Sequence, residues 1–144
     1  MGGTNINDAI LRALEIAKRV KDAEEIGSKT EQLIIFLSDG EPTSGAVTNQ
    51  TQIKENIRNA NNNMQIPIYG LAFGDGADYD LIKDISDENF AFAKRIYESG
   101  NSFEQLENFY KEISGTYTNK SITFTQPELL VIGELGFLRS KQLS

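Results

Sequence analysis

Asp39 and Gly40 close a run that begins with five consecutive large apolar residues, Leu33-Ile34-Ile35-Phe36-Leu37, followed by Ser38. A stretch that is apolar at every position, without period-2 alternation, suits a strand buried on both faces of a parallel sheet. In open α/β sheets, ligands sit outside the carboxyl ends of the strands. Asp39 therefore stands where such a fold places its chemistry. Two readings stay open at this point. In one, Asp39 belongs to a site, with Asp39 and Glu41 available as a carboxylate pair for acid–base work. In the other, Asp-Gly is a tight turn after a strand. Asp75, Asp78 and Asp80 cluster after a later apolar run without EF-hand spacing, and a carboxylate-rich helix N-terminus accounts for them.

The chain has no cysteine and no histidine. Ser-His and Cys-His catalytic pairs are thereby removed, as are thiolate and imidazole zinc sites. An enzyme built from this chain would have to work with carboxylates, Lys or Tyr. Against 21 acidic residues stand 14 basic ones, a formal net charge of −7. That balance opposes nucleic-acid binding and docking on anionic lipid, and it is compatible with cations. No apolar run approaches the length of a membrane span. Met1-Gly2-Gly3-Thr4 leads directly into polar residues and a helix pattern, so no signal peptide is visible. Two glycosylation triplets occur, Asn49-Gln50-Thr51 and Asn119-Lys120-Ser121, and without a signal peptide the expectation is that neither is used.

The length of 144 residues fits one domain. Residues 5–26 carry a helical apolar stripe, with Asn5 as cap, Asp8 as its partner in a weak capping box and Gly27 as a stop. The strand at 32–38 follows. Ile53, Ile57, Ala60 and Met64 mark a helix from about Thr51 to Ala60, which three asparagines at 61–63 dissolve. Ile66 to Phe73 reads as a strand with Pro67 at its start. A short helix at 78–86, a strand from Phe90 to Tyr97 and a helix capped by Ser102 with Gln105 come next. That last helix turns Phe103, Leu106, Phe109 and Ile113 inward and ends at Gly115. Ser121 to Thr125 alternates as a short strand. Leu129–Ile132 is apolar, and the pattern then loses any period. Strands alternating with helices imply an α/β fold with right-handed crossovers and a parallel sheet.

Gly2-Gly3-Thr4-Asn5 before a helix, and an apolar strand ending in Ser38-Asp39-Gly40-Glu41-Pro42-Thr43-Ser44-Gly45, resemble the von Willebrand factor A domain. The Gly-x-x-Phe-Gly strand end and the Arg95-Ile96-Tyr97-Glu98 stretch are similar to the inter-alpha-trypsin inhibitor heavy chains within that family. The resemblance covers residues 2–126. It implies a partial Rossmann-like von Willebrand factor A fold with three parallel strands, helices on both faces and the first strands missing. Residues 1–126 would form the carboxyl-terminal part of such a domain, and 127–144 a divergent tail.

The resemblance also implies a metal-ion-dependent adhesion site that holds Mg²⁺. Thr4 matches the threonine of its second loop and Asp39 the aspartate of its third. The first loop, Asp-x-Ser-x-Ser, has no counterpart in this sequence. Mg²⁺ wants about six oxygens at near-octahedral geometry. A lone Thr and Asp are therefore expected not to hold it usefully without the rest of the parent domain. The implied function is a non-enzymatic interaction domain in which a partner's acidic group completes the metal's coordination. A secreted setting, hyaluronan or matrix association and protease-inhibitor complexes are implied by similarity only. The alternatives are a fragment with no function of its own and a carboxylate-based α/β enzyme. With the first strands missing, strand 32–38 is expected at the sheet's edge, as an aggregation template in a poorly soluble or molten chain without a Mg²⁺ response.

Overall fold

A computed structural model describes residues 3–24, 31–118, 128–132 and 138–142. The elements are α1 (Ile6–Asp22), β1 (Ile34–Ser38), α2 (Gln50–Asn61), β2 (Ile68–Phe73), α3 (Tyr79–Glu88), β3 (Ala93–Ile96), α4 (Ser102–Thr118), β4 (Glu128–Ile132) and β5 (Leu138–Gln142). The strands at 32–38, 66–73 and 90–97 are present in shortened form, adjacent and parallel, in the expected order. Gly27 and the strand expected at 121–125 lie outside the described residues.

The sheet has five strands in the order β3-β2-β1-β4-β5. The three expected parallel strands stand, extended by β4 and β5. One expectation changes: β1 is an interior strand rather than an edge. Parallel pairing with β4 places Ile35 opposite Val131 and Phe36 opposite Ile132. The apolar run 129–132, read from sequence as part of a tail, thus supplies the neighbour that β1 needs. β5 returns antiparallel to β4. With a strand on each side, the hydrogen-bonding groups of β1 are not left as a template, and the reason for expecting a molten chain falls away.

The period-2 alternation of the strands divides the core in two. Ile34, Phe36, Ile68 and Ala72 pack with the inward stripes of the first three helices, including Ile10, Leu14, Ile53, Ile57, Ile82 and Ile85. On the other face, Ile35, Tyr69, Leu71 and Ile96 pack with Phe109, Ile113 and Tyr117 of α4. Among the described residues, helices thus cover both faces, three on one and one on the other. Tyr69, Phe92 and Phe109 meet edge to face, with ring centroids 5.1–6.3 Å apart.

Several local expectations are corrected. Phe103 is 78% exposed, not inward, because the sheet-facing stripe of α4 starts at Leu106. α4 runs through Gly115 to Thr118, since tertiary packing of Ile113 and Tyr117 outweighs one glycine in a helix interior. Ser102 is the first helical residue rather than the cap. Gln105 reaches past it, accepting from the Tyr97 amide at 3.0 Å and donating to the Asn101 side chain at 3.0 Å. Ala60 is exposed, and Asn61 takes the inward position.

Asn61 is the last residue of α2, and at 1% exposure it is a structural group rather than a helix breaker. Its amide donates to the Ile66 carbonyl at 2.8 Å and to the Asn89 side chain at 3.1 Å, and its oxygen accepts from the Ile66 amide at 2.8 Å. Asn89 donates in turn to the Ile85 carbonyl at 2.7 Å. This closed network ties the ends of α2 and α3 to the start of β2. A buried polar pair is tolerable here because its groups are satisfied. The two turns it holds contain non-glycine residues with positive φ, Gln65 at 53° and Phe90 at 62°.

Two tests follow from this architecture. Phe90 is 57% exposed, so its side chain contributes little burial while its backbone is strained. Phe90→Gly is expected to raise stability by about 0.5–1 kcal/mol in urea unfolding. A loss of stability would show that Phe90 is held by packing. Tyr117, 5% exposed, has its phenol pushed well above the ordinary value of 10.0, first by burial and then by its hydrogen bond with Tyr69. A raised folded-state pKa stabilises fully below the unfolded value. Stability is therefore expected to fall above pH ~10, by up to about 1.4 kcal/mol per pH unit for this one group. Tyr117→Phe should flatten that alkaline slope in pH-dependent melting.

Candidate functional site

At the carboxyl edge of the sheet, the loops after β1, β2 and β3 come together with the segment that precedes α1. Thr4 is fastened there from both sides. It forms a parallel bridge with Pro42. Its carbonyl accepts from the amides of Thr43 at 3.0 Å and Ser44 at 3.1 Å. Its own amide donates to Thr43 Oγ1 at 3.1 Å. Asn5, next along, caps α1 by accepting from the Asp8 amide at 3.1 Å, and Asp8 accepts back from the Asn5 side chain at 2.7 Å. The N-cap half of the capping box read from sequence is present, while Asp8 returns its bond to the Asn5 side chain rather than to its backbone N–H. Hydrogen bonds from Asn5 and Asn7 hold the Asp8 carboxyl below its ordinary range.

Asp39 and Gly40 turn the chain out of β1. Ser38 stays buried, and its hydroxyl spans the turn, donating to the Gly40 carbonyl at 3.2 Å. A side chain at position 40 would place its Cβ 3.0 Å from Thr4 Oγ1. Gly40 thus leaves room for the threonine hydroxyl beside the residue that follows Asp39. The Asp39 carbonyl lies 3.0 Å from the Cβ position of Gly76, so the loop after β2 closes on the same turn. Asp39 itself is exposed and Thr4 half-buried. Glu41 is exposed too. Among the described residues, no three His, Cys, Asp or Glu side chains gather as a metal cluster.

The chemistry of Thr4 and Asp39 suits a hard cation, a neutral hydroxyl and a carboxylate both offering oxygen. The number does not fill its shell. Mg²⁺ takes about six oxygens and retains several waters, so two side chains can be only part of its surroundings. Asp78, from the group of three carboxylates after β2, caps α3 by accepting from the Leu81 amide at 3.1 Å. That placement agrees with the helix-terminus reading of the group.

Some contacts that shape this rim are not visible in the motifs that contain their residues. Thr43 belongs to the strand-end motif, and its hydroxyl supplies the contact that straps Thr4. Arg95 donates to the Gly74 carbonyl at 3.3 Å and lies over the Tyr79 ring at 5.2 Å, joining β3 to the loop after β2 and to the start of α3. Gln105 locks the loop at 97–101 onto α4. The motif Asp-Gly-x-Pro-Thr-Ser-Gly contained the first of these, but sequence does not say which of its hydroxyls turns back.

Gly45 offers a test of the strap. It has φ of +96°, and a Cβ there would lie 2.5 Å from the Asn5 carboxamide. Gly45→Ala is expected to cost about 1–3 kcal/mol by strain alone and to loosen the α1 cap. In α4, a Cβ at Gly115 would meet nothing within 4 Å. Gly115→Ala should stabilise by about 0.5–1 kcal/mol. Chemical denaturation of the two variants should give opposite signs, and equal signs would refute the contrast.

The von Willebrand factor type A domain family matches residues 1–112. The chain is 41% identical over 126 residues to mouse (Mus musculus) inter alpha-trypsin inhibitor, heavy chain 4, covering 88% of this chain and 13% of that protein. It is 35% identical over 130 residues to inter-alpha-trypsin inhibitor heavy chain H1 of Mesocricetus auratus, covering 90% and 14%. It is 35% identical over 152 residues to the heavy chain H4 of Sus scrofa, covering 93% and 16%. The chain therefore spans less than a fifth of the length of the curated relatives it matches. With the matched segment holding the helix cap, the strand end and the rim described above, the chain belongs to the von Willebrand factor type A domain family, whose members serve as adhesion or interaction modules.

Proposed function

We propose that the carboxyl edge is a metal-assisted protein-docking rim, and that the chain acts by binding rather than by catalysis. Thr4 and Asp39 each contribute one oxygen toward a Mg²⁺ ion. Further oxygens come from protein outside these two loops and from water, and a partner's acidic residue takes the remaining position. Such an ion supplies Lewis acidity toward an incoming carboxylate. This chain's own part is to hold the two oxygens in place, through the Thr43 strap and the Ser38 turn. The observation that carries the reading is the approach of Thr4 Oγ1 to within 3.0 Å of the Gly40 Cβ position, which brings the second loop beside Asp39. The relatives are named as heavy chains of the inter-alpha-trypsin inhibitor. A secreted setting with a protein or matrix partner follows from that kinship, and hyaluronan, a polymer bearing carboxylates, fits the same chemistry.

The division of labour is testable with Mg²⁺ alone. The 144-residue chain is expected to show a melting temperature indifferent to Mg²⁺. Fusion of a segment bearing Asp-x-Ser-x-Ser ahead of Gly3 should produce a Mg²⁺-dependent rise. Thr4→Ala or Asp39→Ala should abolish it, with bound ion falling tenfold or more in calorimetry. A response that survives both substitutions would exclude these residues as ligands.

A further inference from the structure

We propose that Asn49 is an N-glycosylation site, placing a glycan on the rim that carries Thr4 and Asp39. The triplet Asn49-Gln50-Thr51 has no proline at its centre. Triplets of this kind arise by chance, so the sequence alone does not assign it. The placement of this one argues for it. Asn49, Gln50 and Thr51 are all exposed. Asn49 is the N-cap of α2, with φ −70° and ψ 123°, and its Oδ1 accepts from the Gln52 amide at 3.1 Å. That bond fixes the carboxamide by its oxygen. Among the described residues no acceptor engages Nδ2, the atom to which a glycan attaches. Capping and glycosylation use different atoms, so the modified residue retains its hydrogen bond and the fold accommodates the sugar at no expense to α2. The Gln50 side chain is engaged elsewhere, donating to Asp78.

The donor is an oligosaccharide carried on a lipid diphosphate. The Nδ2–C1 bond forms and the C1–O bond to phosphate breaks. The lipid diphosphate leaves with the electron pair, and Nδ2 releases one proton. The loop at 39–49 joins Asp39 to Asn49, so both lie at the carboxyl edge of the sheet. A bulky, solvated chain at Asn49 screens the side of the rim above α2, and partners are directed to the side above β3.

The inference rests on the extracellular reading above, so the test separates the two. The full chain is sent through the secretory pathway of a eukaryotic cell behind an added leader peptide, in the Asn119→Gln background. Digestion with a peptide-N-glycosidase should collapse a heavier band, and the peptide containing position 49 should show conversion of Asn to Asp. Thr51→Val, which leaves the Asn49 cap intact, should abolish the heavier band, and Thr51→Ser should retain it. Asn49→Asp should also abolish it while keeping the cap and the melting temperature. An unmodified Asn49 in the secreted, folded chain overturns the inference whatever the native location. A glycan on the leader-directed chain, with none on the same chain lacking a leader, supports the site and leaves the location to be decided separately.

Discussion

The coverage of β1 is the constraint on which the other elements depend. Five large apolar side chains in succession cannot be served by one buried face, so both sides of the strand need packing and both edges need a hydrogen-bonding neighbour. Ile34 and Phe36 enter the larger core beneath three helices, and Ile35 enters the smaller one beneath α4. β2 takes one edge and β4 the other. The polar turn at Ser38-Asp39-Gly40 stands where it does because the strand behind it is fixed on every side.

That fixity is passed to the rim by main-chain contacts rather than by ion pairs. Thr4 is held through its amide and carbonyl, and its hydroxyl lies beside the space that Gly40 provides. Ion pairs lie instead along single helices, between α2 and α3, and between β3 and α4. Arg12–Glu15–Arg19 and Lys83–Asp87 are exposed. Such pairs contribute little to stability and are screened by salt. The rim is therefore expected to keep its shape across ionic strengths that dissolve the surface pairs.

Much of this was legible in the sequence because it rested on periodicity. The stripe of α1, the Asn5–Asp8 box and the parallel order of the first three strands all follow from local patterns. What sequence did not reveal depended on long-range pairing. The partner of β1 lies more than ninety residues downstream, in a segment whose period fades after Ile132. Asn61 read as a helix breaker because its partners, Ile66 and Asn89, become visible only when two helix ends meet at the start of β2. Phe103 read as core because residue type was weighed ahead of where α4 first touches the sheet. At the rim, the resemblance identified Thr4 and Asp39, but the strapping role of Thr43 is a matter of three-dimensional contact.

The strand order has a colloidal consequence. The outer strands are β3 and β5. β3 reads Ala-Lys-Arg-Ile, with Lys94 paired to Glu112 of α4 and Arg95 to the loop after β2. A second copy pairing along β3 at the spacing of neighbouring strands, about 4.8 Å, would have to accommodate both long cationic side chains. Ile34, Ile35 and Phe36 of the apolar run are buried between two neighbouring strands, while Leu37 stays exposed. Self-adhesion along the sheet is thus opposed by the same topology that leaves the carboxyl rim open to other molecules.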